Sequence, residues 1–94
     1  LRCDIQSKFR CSPTGCKENV LGLWNLIDLE GGKFSRCDQK GCDHYQMVVT
    51  RSGIYLNLEV PGKGMIAKMA ADGSEYLEVA TLGTTALVSH GTCK

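Results

Sequence analysis

Ninety-four residues bound this chain to one domain, 1–94, and folding at that size removes only about 65% of the unfolded surface from water, so covalent support has value. Eleven basic and ten acidic side chains leave a formal charge of +1, spread along the chain. That excludes the basic footprint of a phosphate-backbone binder, and no nucleic acid partner is expected. No run approaches the roughly 18 apolar residues that cross a bilayer as a helix, so no membrane span is expected.

The chain opens at Leu1 rather than Met, as a mature exported chain would. Leu1 to Arg10 reads as an opening strand. It leads into Cys11-Ser-Pro-Thr-Gly-Cys16, a four-residue loop whose Gly15 suits the positive φ that often ends a type I turn. Lys17 to Leu26 is ambiguous: Val20, Leu21, Leu23, Trp24 and Ile27 fit a helical turn almost as well as a strand. The expectation is irregular chain followed by a strand from Trp24, with Trp24 as the largest core side chain. Glu30-Gly-Gly-Lys33 then turns the chain into a strand from Phe34. Cys37-Asp-Gln-Lys-Gly-Cys42 repeats the spacing of the first loop, and its approach, Lys33-Phe34-Ser35-Arg36, echoes Lys8-Phe9-Arg10.

From His44 onward, β-rich runs alternate with turn residues: 44–50, 54–60, 65–71, 74–82 and 84–90, cut by Ser52-Gly53, Pro61-Gly-Lys-Gly64, Asp72-Gly73 and Gly83. Ile54, Leu56, Leu58 and Val60 alternate with Tyr55, Asn57 and Glu59, which is period two rather than 3.6. The fold expected is all-β, a small antiparallel meander of about eight strands closing into a barrel or sandwich.

Six cysteines in so short a chain read as a disulfide framework of an oxidising compartment, periplasmic or secreted. Each C-x4-C loop sets its two cysteines opposite each other, which predicts Cys11–Cys16 and Cys37–Cys42. Cys3 and Cys93 remain, beside the two termini, and pairing them locks the first strand to the last. The competing arrangement is a zinc-stabilised module with Cys11, Cys16, Cys37 and Cys42 as thiolates, although zinc ribbons favour C-x2-C knuckles.

Catalysis has little material, and no enzyme is expected. His44 and His90 lie in no recognised catalytic motif, and Ser89 beside His90 would point to the opposite face of a strand. Glu75 with Glu78, and Asp28 with Glu30, read as solvent-facing carboxylates. Met47, Met65 and Met69, with Leu82 and Leu87, could line an apolar pocket but read first as core. No cofactor is indicated. The Pro61–Gly64 turn is the most interesting surface feature, since two glycines allow close backbone approach and Lys63 projects a cation between them.

Ser52-Gly53-Ile54-Tyr55 and Lys63-Gly64-Met65-Ile66-Ala67-Lys68-Met69, in a small β-meander with a cysteine at each end, resemble the membrane-bound and periplasmic inhibitors of c-type lysozyme. Those inhibitors carry an SGxxY loop, a KGxxAxL segment and a disulfide joining the first and last strands of an eight-stranded barrel. Tyr55 stands one residue earlier than in that family, and the two C-x4-C hairpins are additional. The resemblance implies that Ser52, Gly53, Lys63 and Gly64 contact the partner, entering a lysozyme cleft near its catalytic carboxylates. The function expected is thus an exported non-enzymatic binding module, a protein inhibitor of lysozyme type in its most concrete form. The alternative is a structural or small-ligand-binding domain of an exported family.

Overall fold

Each turn identified above separates two strands, and in the computed structural model, which describes residues 1–94, ten strands follow one another with no helix. They are β1 (Arg2–Ser12), β2 (Gly15–Glu18), β3 (Trp24–Asp28), β4 (Lys33–Asp38), β5 (Gly41–Gln46), β6 (Val48–Ser52), β7 (Tyr55–Val60), β8 (Met65–Ala70), β9 (Tyr76–Leu82) and β10 (Thr85–Cys93). The count exceeds the expected eight for two reasons. Gly15–Glu18 folds back on β1 as a short strand, and the run 44–50 breaks at Met47 into β5 and β6. Residues 19–23 are irregular, and no helical turn forms there.

All pairings are antiparallel, in the order β5-β4-β3-β1-β10-β9-β8-β7-β6, with β2 beside β1 off this path. The long β1 makes this possible. One of its edges pairs with β10, and the other serves β3 through Arg2–Asp4 and β2 through Phe9–Ser12. The two end strands, β5 and β6, share no ladder, but Met47 joins them directly and donates its N–H to Gly32 O at 2.8 Å. The result is a nearly closed antiparallel barrel whose seam is crossed by the chain itself.

All three expected disulfides are present: Cys3–Cys93, Cys11–Cys16 and Cys37–Cys42. No cysteine is free, so the zinc arrangement is corrected: neither C-x4-C pair retains a thiolate to offer a metal. The two hairpins share one design, with the cysteines paired and the next residues inward paired too, Ser12 with Gly15 and Asp38 with Gly41. The ladder thus runs further into the loop than a four-residue turn implies, and Gly15 and Gly41 occupy φ of 133° and 141°, where a side chain is disfavoured.

The core gathers Ile27, Phe34, Met47, Leu58, Val60 and Met65, together with Met69, Tyr76 and the Cys3–Cys93 bridge. The methionines are core, as expected. Trp24 is not: it is half-buried, with the Arg2 guanidinium carbon 4.7 Å from its ring centroid. A second correction concerns Glu78, which is 2% exposed rather than solvent-facing. On β9 it is Tyr76 and Glu78 that turn inward, while Leu77 stands exposed.

Candidate functional site

Two of the buried polar residues, Asn25 and Glu78, form one connected group with Arg36 and Tyr76. Arg36 on β4 donates from Nε to Asn25 Oδ1 at 2.8 Å and from Nη2 to Glu78 Oε2. Asn25 donates from Nδ2 to Tyr76 Oη and to Glu78 Oε1, both at 2.9 Å, and the Tyr76 hydroxyl donates to Glu78 Oε1 at 2.9 Å. No buried side-chain nitrogen or oxygen lacks a partner, so the group satisfies the main condition for polar burial. Burial, reinforced by the Glu78 charge, holds the Tyr76 phenol protonated far above its ordinary range, so it stays a donor to that carboxylate.

Lys8 joins this interior because β1 carries a bulge. The pairing with β10 shifts between Ile5 and Ser7, and the extra residue inverts the facing of the rest of the strand. Cys3 and Ile5 turn inward before it. Beyond it Lys8 is 9% exposed while Phe9 is 36% exposed. Burial, and then the nearby charge of Arg36, push the Lys8 amine below the ordinary lysine range, against the opposing pull of Glu78.

Arg36 also reaches the floor of a cavity of about 250 Å³ at the barrel mouth. Phe34, Val60, Met65, Ala80 and Leu87 supply apolar wall, Leu82 and Thr81 stand on the β9 side, and Tyr45 and Lys63 close the rim. Lys63 Nζ lies 5.5 Å from the Tyr45 ring centroid, within cation–π range. No acidic side chain lines this cavity. The turn bearing Lys63 is pinned from below, since Gly64 O accepts the Thr81 N–H at 2.9 Å and the Thr81 hydroxyl at 3.3 Å. Gly64 has a φ of 62°, and a Cβ there would stand 2.7 Å from Thr81 Oγ1. Only glycine fits the position without displacing its neighbour.

The other sequence-derived pair lies elsewhere. Ser52 ends β6, and Gly53 begins the turn into β7, whereas Lys63 and Gly64 follow its far end. The six residues of β7 separate the two turns by about 20 Å at a strand's rise. They do not form one surface. Met65, Leu82 and Leu87 do share the mouth cavity, while Met47 and Met69 do not line it.

One contact escaped sequence reasoning. Ser35 Oγ and His44 Nδ1 lie 2.6 Å apart, side by side on β4 and β5. Nothing in either residue's local sequence announces it, since only the β4–β5 register brings them together. Ser35 is 5% exposed, which leaves little approach for a substrate, so the contact is a cross-strand hydrogen bond that ties β5 to the sheet. Ser89 is buried and His90 exposed, on opposite faces as the strand period requires. No group of three or more His, Cys, Asp or Glu side chains is placed to hold a metal ion. In comparisons with known proteins, no family model matches the chain, and neither a curated protein nor a solved structure matches it.

Proposed function

We propose that the chain is a non-enzymatic binding module, periplasmic or secreted, that inhibits a glycosidase of lysozyme type by presenting Lys63 to the acidic groups of its cleft. The observation that carries this reading is the Lys63 turn itself: a cation fixed between two glycines, braced by Thr81 and set on the rim of an apolar mouth. A rigid, preformed projection loses little entropy on docking. A cation at its apex complements the paired carboxylates by which most glycosidases work. Three disulfides suit the oxidising compartment in which such enzymes act. Because Ser52 and Gly53 sit at the opposite end of β7, the Lys63 end alone would enter the cleft. A contribution from the Ser52 end would require a second contact.

The reading is tested by adding purified protein to c-type lysozyme and following clearance of a bacterial cell-wall suspension. Inhibition at micromolar concentration, weakened about tenfold or more by Lys63→Ala and left unchanged by Ser52→Ala, is the expected result. Absence of any inhibition at that concentration would reject it.

A further inference from the structure

We propose that the barrel mouth is a binding site for a small monocarboxylate carried on an apolar body of roughly six to ten carbons. The claim extends beyond the inhibitor reading and does not depend on it.

Two cations, Arg36 and Lys63, line the mouth and no carboxylate does, while Glu78 beneath it forms an ion pair with Arg36 alone. Of the five N–H donors of a guanidinium, Arg36 spends one on Asn25 and one on Glu78. Its side chain keeps 25% exposure and is among the residues that line the cavity, which leaves it donors to offer a ligand there. Excess positive charge in a partly desolvated mouth favours an anion more strongly than the same charge on an open surface.

Shape and surface set the rest of the ligand. Seven of the ten lining residues are hydrophobic, which disfavours phosphate, sulfate or another fully hydrated ion. The cavity volume is about 250 Å³. It falls below the range of about 300–1,000 Å³ typical of drug-sized ligands. Phe34, Val60, Met65 and Leu87 would take the hydrocarbon, while the carboxylate would sit between Arg36 and Lys63, receiving charge-assisted hydrogen bonds.

Octanoate is a suitable probe, titrated into the protein while amide resonances are followed by NMR, with octanol and octylamine as controls. Saturable, sub-millimolar binding of octanoate is expected, with shifts centred on Phe34, Tyr45, Met65 and Leu87. Octanol should bind about tenfold more weakly or worse, and octylamine not measurably. Lys63→Gln, a change on an exposed turn that leaves the core intact, should weaken octanoate about three- to tenfold. Ala80→Leu should fill the cavity and abolish binding, with a dispersed spectrum showing that the fold survives. Equal binding of octanol and octanoate, shifts centred on the opposite end of β7, or no saturation by about 5 mM would each overturn the proposal. Loss of lysozyme inhibition with octanoate binding intact would reject only the inhibitor reading, and the converse only this one.

Discussion

A single inserted residue, Gln6, determines which side chains of β1 face the interior. Without the bulge between Ile5 and Ser7, strict alternation from Cys3 would turn Phe9 inward and Lys8 outward; the structure has the reverse. The buried amine then becomes a pH-dependent cost. Below its lowered pKa, Lys8 is charged in both folded and unfolded states, and the penalty for burying that charge is fully present. Between that pKa and the ordinary 10.5, the unfolded chain binds the proton that the folded chain has lost, so stability rises with pH. Lys8→Met should therefore raise the Tm at pH 7. A gain of about 1 kcal/mol corresponds to about 4–8 °C at this size, and the advantage over the native chain should shrink as pH approaches 10.5. Thermal melts at pH 7, 9 and 10 measure this directly. Glu78→Gln should act oppositely, because it strips Arg36 of its counter-charge. The loss should be about 2–3 kcal/mol in urea titrations, somewhat under the value for a fully buried pair because Arg36 keeps some contact with water.

At the level of strands and hairpins, local chemistry was readable wherever it alone decided the outcome. The Ser-Pro-Thr-Gly and Asp-Gln-Lys-Gly loops contain what a stapled hairpin needs within six residues, so Cys11–Cys16 and Cys37–Cys42 follow from spacing, and Cys3–Cys93 follows from the remainder. Period two along 54–60 likewise gave a strand. Facing was harder to read where it depended on partners. Glu78 is inward because Asn25 and Arg36 meet it from β3 and β4, alongside Tyr76 on its own strand, and neither of the two cross-strand contacts leaves a trace in the segment 74–82. Leu77 and Val79 are displaced to the outer face, where Val79 pairs with Ile66 and Val88, and Val88 with Phe9. The mouth cavity was half-legible: Lys63, Met65, Leu82 and Leu87 were singled out from sequence, but Phe34, Arg36 and Tyr45 reach it through tertiary packing from a distant hairpin. The three bridges should also differ in energetic weight. In a chain-entropy account the bridge across 90 residues of separation contributes about 4–5 kcal/mol and each short one about 2 kcal/mol. Replacing Cys3 and Cys93 by alanine should thus lower urea stability about twice as much as removing either hairpin bridge.

For the molecule as a whole, closure is shared between a ladder and a covalent turn. β1 and β10 complete the ladder between first and last strands, and the Cys3–Cys93 bond fastens them. The remaining gap lies between β5 and β6, where Met47 carries the chain across. The ends are paired as well, with Arg2 and Lys94 exchanging backbone hydrogen bonds at 2.8 Å in both directions. Along the β7–β10 face, that pairing occupies the end where Gly73 meets Cys93, and the Lys63 turn stands at the other. A tether, tag or solid support joined to either terminus therefore departs from the same point, and it leaves the mouth pointing away from whatever holds the protein.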